Sequence, residues 1–224
     1  KDYNIFSVLQ IQSKEVLICR MIADLLNPRG QHGAGAEYLK IFLRDCLGME
    51  KMDTKLADQA IVTAEYAIDD ERRIDIVIEI GSYFLPIEVK IYAADQKSQC
   101  FDYYQYAKRR DAQAKVYYLT LDGHRPGKDS TSSGSQSVPE EDIVCLSFRE
   151  HILNWLKACK NCENTGMIPI LEQFIRNIEQ ISGYTSERVR NMVIDELLTS
   201  GDSLRAGMQI ADSINAAKAK LIYQ

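Results

Sequence analysis

Three charged residues in the middle of the chain have types and spacing that could do chemistry. Asp75 precedes Glu88 by twelve intervening residues, and Glu88-Val89-Lys90 forms an ExK triplet. Side chains at i and i+2 of a strand share a face, which puts Glu88 and Lys90 together. A hairpin between the two segments would bring Asp75 alongside. Two carboxylates can hold a hard divalent cation such as Mg²⁺ or Mn²⁺, which keeps several waters of its own. The ion would polarise a phosphodiester and activate a water, and the lysine could orient that water or stabilise growing negative charge. The same charges would also suit a plain salt bridge, with Lys90 between two acids at a sheet edge.

The flanking pattern supplies the hairpin. Ile74, Ile76, Ile78 and Ile80 alternate with Asp75, Val77 and Glu79, which predicts a strand. Gly81-Ser82 is a two-residue turn signal, and residues 84–91 read as the returning strand. Residues 61–68, 116–121 and 143–148 are further strand candidates, rich in β-branched and aromatic residues. Helices are expected over 12–27 (with Ser13 as cap), 35–46, 96–110, 150–159 and 169–181, and over 186–224 as two helices broken near Gly201. Residues 122–142, rich in Ser, Gly and Pro, read as a long mobile loop. The order implies an α/β fold, a mixed sheet flanked by helices. The expected division is a main domain over 1–183 and a helical C-terminal extension over 184–224. In the extension Val189, Met192, Val193, Leu204, Met208 and Leu221 could form a homodimer seam.

Two elements bear on the acid–lysine group. Gln99 and Tyr103 share a helix face just after Lys90, which could line a substrate groove or be a solvent-facing polar stripe. Glu15 heads an apolar stripe of Ile18, Cys19, Ile22 and Leu26. It could complete a metal site or favour the positive end of its helix.

With these motifs in view, the chain resembles the PD-(D/E)XK nuclease superfamily, in particular a prokaryotic group whose first helix ends in LLDP…HGxG. The matching residues are Glu15, Leu25-Leu26-Asn27-Pro28, His32-Gly33-Ala34-Gly35, Arg73-Ile74-Asp75, Ile87-Glu88-Val89-Lys90, Gln99 with Tyr103, Cys145-Leu146-Ser147-Phe148 and Trp155-Leu156. The resemblance covers roughly residues 10 to 180. It implies a restriction-endonuclease-like fold and Mg²⁺- or Mn²⁺-dependent hydrolysis of nucleic acid, with DNA ahead of RNA. It implies that Asp75 and Glu88 ligate metal, that Glu15 supports the metal site, that Lys90 is the catalytic lysine, and that Gln99 and Tyr103 line the site. Two positions depart from the pattern: Asn27 stands for the usual Asp, and Ile18-Cys19 for a common His-Ser pair. These bear on substrate preference more than on the reaction. The alternative is a retired nuclease fold that binds nucleic acid or protein without cutting.

Phosphate contacts are expected first from Lys108, Arg109 and Arg110, where cations also suit a helix C-terminus, and second from Arg125 and Lys128. His32 could touch a phosphate or base, or lock its glycine-rich turn. His124 and His151 have no metal-ligand spacing with it. Tyr92, Tyr117 and Tyr118 follow sheet spacing and are expected to pack.

Composition limits the rest. A net charge of −5 argues against coating nucleic acid by bulk electrostatics, but a metal site can be acidic while separate basic patches grip phosphate. The six cysteines are scattered, and Cys159-x-x-Cys162 lacks the second pair of a zinc site. Reduced thiols in a cytoplasmic protein are expected. No apolar run approaches the ~20 residues of a membrane span, and no signal-peptide pattern opens the chain, although Lys1 in place of Met leaves room for a missing start.

Overall fold

The computed structural model describes residues 3–50, 52–162, 165–183, 193–195 and 197–222. The chain divides into two compact units, Lys1–Ser182 and Gly183–Gln224.

The first unit opens with helices α1 (Ile5–Val8), α2 (Glu15–Leu26), α3 (Glu37–Asp45) and α4 (Thr54–Ala57). A meander follows: β1 (Ile61–Ala67), β2 (Arg73–Ile80) and β3 (Tyr83–Lys90). Helix α5 (Gln99–Lys108) then leads to β4 (Val116–Thr120). An insertion carries α6 (Lys128–Thr131) and the small strands β5 (Ser132–Ser133) and β6 (Gln136–Ser137). Strand β7 (Ile143–Ser147), a π-turn over Phe148–Ile152, α7 (Leu153–Cys159) and α8 (Ile168–Ile181) complete the unit.

The main sheet has five strands in the order β1-β2-β3-β4-β7. The pairs β1–β2 and β2–β3 are antiparallel, whereas β3–β4 and β4–β7 are parallel. This is the mixed α/β sheet flanked by helices that the sequence predicts. The β2–β3 turn falls at Gly81-Ser82, and Gly81 takes φ +57°, where a Cβ would be strained. Helix α2 begins one residue after Lys14, which caps it without a side-chain hydrogen bond, so the expected Ser13 cap is not used.

One face of the sheet packs against α5. Val77, Phe84, Val116 and Tyr118 form a buried cluster with Cys100, Phe101, Tyr103 and Ala107 of α5 and Val138 of the insertion. Burying such side chains is worth roughly 1.5–3 kcal/mol each. Elsewhere Trp155 of α7 sets its ring edge-on to Phe42 and donates from Nε1 to the Tyr38 carbonyl at 2.8 Å, locking α7 to α3.

The insertion over residues 122–142, expected to be a mobile loop, is built into the unit. The Asp95 carboxylate accepts from Gly127 N at 2.7 Å, Ser98 N donates to the Asp129 carbonyl at 2.7 Å, and Val138 is buried. These bonds join segments about thirty residues apart, beyond what a composition signal can register.

In the second unit, α9 (Gly201–Ile222) starts at the expected break. Val193, Leu204 and Met208 are exposed there. Val189 and Met192, and the side chain of Leu221, lie outside what the structure describes.

Candidate active site

The register that joins Ile76 to Ile87 sets Asp75 opposite Glu88 at its next step. Both point to the α5 face, with Lys90 two residues further along β3. Lys90 Nζ stands 2.6 Å from Glu88 Oε1, and both side chains are buried. Asp75 Oδ2 accepts the Val89 N–H at 2.7 Å, and Glu15 Oε2 accepts the Ile91 N–H at 2.8 Å. Carboxylates from β2 and from the start of α2 thus hold the end of β3. The site depends on three elements that meet at one end of the sheet, on its interior strands β2 and β3 and not at the sheet edge.

The electrostatics are uneven. Glu88 Oε2 is buried with no donor facing it, and the carboxyl within reach is that of Asp75, which can join it only through a shared proton. Burial, then the nearby Asp75 charge, pushes the Glu88 carboxyl well above its usual range, and Lys90 only partly opposes this. Burial also raises Asp75, against the pull of the Val89 N–H. Burial would lower Lys90, but the adjacent Glu88 outweighs it and holds the ammonium's pKa up. Burial and the neighbouring Asp75, Glu15 and Glu88 charges drive the Cys19 thiol far up, so Cys19 is an uncharged wall of the site.

The residues suit a hard cation by donor type: carboxylate oxygens, an excess of acids over lysine, and a buried acceptor with no partner. Among the described residues no three His, Cys, Asp or Glu side chains form a ready-made cage. One or two carboxylates with waters filling the other positions is the Mg²⁺ manner of binding, and Asp75 with Glu88 fits that set.

Gln99 and Tyr103 are neither a solvent-facing stripe nor an open groove wall. Both are buried. Gln99 Nε2 donates to Tyr103 Oη at 3.1 Å, and the Tyr103 hydroxyl donates to the Arg73 carbonyl at the start of β2. The pair fixes β2 two residues before Asp75. Arg72 joins the same junction, donating to Asp102, to Gln96 Oε1 at 2.9 Å and to the Lys97 carbonyl at 2.6 Å. Its partners lie 24 to 30 residues away, so no local signal marked it.

The expected phosphate contacts are dispersed. Arg110 lies over the Tyr66, Phe84 and Tyr106 rings and reaches Glu79 at 3.5 Å. Glu79 is four residues beyond Asp75 on β2, roughly 13 Å along the strand. Lys108 pairs with Asp142 at 3.3 Å, and Arg109 is exposed. The Lys108-Arg109-Arg110 cluster therefore sits toward the opposite end of the sheet from Asp75. Arg125 and Lys128 line a separate cavity of about 440 Å³ with Thr131, Ser132 and Ser137. His32 is buried: its Nε2 meets the Asn27 carbonyl at 2.9 Å, its Nδ1 accepts from Ala34 N at 3.0 Å, and its ring stacks on Tyr38. It locks the turn, and both nitrogens are taken up there. Tyr117 and Tyr118 pack as expected, whereas Tyr92 is 69% exposed just beyond Lys90. All six cysteines are free.

A sequence model of the PD-(D/E)XK nuclease superfamily matches residues 3–177. The chain belongs to that superfamily. The match spans the whole meander, α5, β4 and β7, so the D…ExK strands of this PD-(D/E)XK protein lie inside it. No curated protein and no solved structure matches the chain significantly. Among the described residues no helix is long and apolar enough to cross a membrane.

Proposed function

We propose that this PD-(D/E)XK protein is a divalent-metal-dependent nuclease that hydrolyses phosphodiester bonds, with DNA as its substrate. The observation that carries the reading is the buried Glu88, with one oxygen against Lys90 and the other facing no donor. An arrangement that costs stability by itself becomes favourable when a cation completes it.

Asp75 and Glu88 are the residues to hold Mg²⁺ or Mn²⁺, with Glu15 supporting the set. A bound ion would polarise the phosphodiester and lower the pKa of a water. Lys90, tethered by Glu88, keeps its ammonium beside the phosphoryl oxygens as negative charge grows there. Asp75 is held in register by the Val89 N–H, so its second oxygen is preset for a ligand. Gln99 and Tyr103 act one layer out, by fixing the strand that carries Asp75. Exposed Arg109, Arg125 and Lys128 are assigned to phosphates away from the cut.

The test is cleavage of linear, circular and single-stranded DNA and of RNA with Mg²⁺ or Mn²⁺, comparing the natural chain with Lys90→Ala. Cutting that is lost in the variant and in chelator supports the reading. Absence of both cutting and Mn²⁺ binding by calorimetry would leave a retired fold in its place.

A further inference from the structure

The acid–lysine group provides for the attacking water and for charge on phosphorus, but it holds no group suited to protonating the departing oxygen. Its Lys90 ammonium is committed to Glu88 at 2.6 Å, and a proton shared between Asp75 and Glu88 would be released when a cation binds them. Phosphodiester cleavage expels an alkoxide, and a positioned general acid typically contributes 10²–10⁴-fold to such a step.

One strand away lies an imidazole set up for that task. Lys90 pairs with Thr120 across the parallel β3–β4 ladder, and Glu88 with Tyr118, so all four side chains share a face. Past the end of β4 the chain turns at Gly123, φ +85°, and brings His124 back with its ring edge-on to Tyr118, centroids 6.2 Å apart. His124 Nδ1 lies 2.6 Å from Asp122 Oδ1, and Asp122 is anchored by Thr120 Oγ1 at 3.4 Å. A carboxylate that holds one ring nitrogen fixes the orientation of the imidazole. The other nitrogen, Nε2, is left for a ligand, and the side chain is 60% exposed. An Asx turn accounts for the backbone here, with His124 N donating to Asp122 Oδ1 at 3.2 Å, but such a turn makes no demand for an imidazole at this position. The path from the Lys90 backbone across the ladder to Thr120 and through the two short contacts to the ring is on the order of 10–15 Å, an upper limit on a gap that a bound phosphodiester could bridge.

We infer that His124, oriented by Asp122, is the general acid of the nuclease reaction proposed above. The water oxygen forms a bond to phosphorus and releases one proton to solvent. The bond from phosphorus to the leaving oxygen breaks, its electron pair stays on that oxygen, and the Nε2 proton of His124 moves there. Solvent then reprotonates the imidazole. The inference rests on the nuclease reading.

The test compares a DNA oligonucleotide at its mapped cut site with the same strand carrying sulfur in place of the leaving oxygen. A thiolate departs without a proton. In Mn²⁺, His124→Gln should cut the native linkage 10²–10⁴-fold more slowly and the sulfur linkage within a few-fold of the natural chain. Asp122→Asn should show the same selectivity with a smaller loss. Melting temperatures close to that of the natural chain would show that these exposed substitutions leave the fold intact. Equal losses on both linkages, or no loss on either, would overturn the assignment while leaving the nuclease reading standing. A natural chain that cuts neither substrate would sink the nuclease reading and this inference with it.

Discussion

Glu88 is sandwiched between opposite demands: Lys90 Nζ lies 2.6 Å from one carboxylate oxygen, while the other is buried without a donor. Asp75 and Glu15 add negative charge to the same few ångströms, and Lys90 is the cation that answers them. The cluster therefore costs stability by itself and gains it when a cation joins.

Glu88→Gln should stabilise the metal-free protein at neutral pH. A carboxyl whose folded pKa lies above its ordinary 4.5 binds its proton more tightly when folded. The native fold then loses stability as pH rises from that value through the raised one, and the loss is complete above both. A neutral amide escapes it. Thermal melting at pH 8 should place the variant about 2–4 °C higher, the shift for ~1 kcal/mol in a chain of this size. The gap should close as pH falls towards 4.5. A variant that melts lower at pH 8 and keeps that deficit at acid pH would show that Glu88 is well compensated.

Metal should reverse that order. With millimolar Mn²⁺ the natural chain should gain melting temperature and Glu88→Gln should not, because binding to the folded state alone stabilises it by mass action. Equal gains in both would place the ion elsewhere.

Lys90→Ala should reduce single-turnover cleavage by roughly 10²–10³-fold, the usual loss on removing one charge-stabilising donor. It should also lower the melting temperature, since Asp75, Glu88 and Glu15 then lie together without the Lys90 cation. Retained cleavage would remove Lys90 from the reaction.

Tyr103→Phe deletes a buried hydroxyl that receives from Gln99 and donates to the Arg73 carbonyl. Leaving both partners unpaired should cost about 1–3 kcal/mol, read as a lower urea midpoint. Cleavage should fall less than in Lys90→Ala, because Tyr103 acts through the placement of β2. A loss as large as that of Lys90→Ala, with stability unchanged, would instead put the hydroxyl in contact with substrate.

Gly30→Ala tests the turn that follows α2. A Cβ there would lie 2.2 Å from the Asp24 carbonyl oxygen and 2.6 Å from His32 Cδ2. Backbone and a locked ring cannot both retreat, so a loss of about 1–3 kcal/mol is expected on melting. An unchanged melting temperature would show that the turn can open.

What could be read from residues alone was whatever short-range geometry controls. The period of two along β2 and β3 and the Gly81-Ser82 turn determine which residues face one another, so the meeting of Asp75, Glu88 and Lys90 was legible before any coordinates. Glu15 was legible as a carboxylate at the head of an apolar stripe, although its bond to Ile91 N was not. The tertiary structure decided where the remaining polar groups spend their hydrogen bonds. Gln99 and Tyr103 have the spacing of an exposed stripe, but α5 turns them inward onto Arg73. His32 sits in a glycine-rich turn that could have faced a phosphate, yet the Asn27 carbonyl and the Tyr38 ring enclose it. Lys108-Arg109-Arg110 closes the helix that Gln99 and Tyr103 open, but a ten-residue helix carries its end well away from its start. The Ser- and Gly-rich insertion looked mobile because its anchors, Asp95 to Gly127 and Ser98 to Asp129, join positions about thirty residues apart. Periodicity reports on neighbours along the chain. A buried hydrogen bond is decided by whichever distant group arrives opposite it, and only the folded chain contains that information.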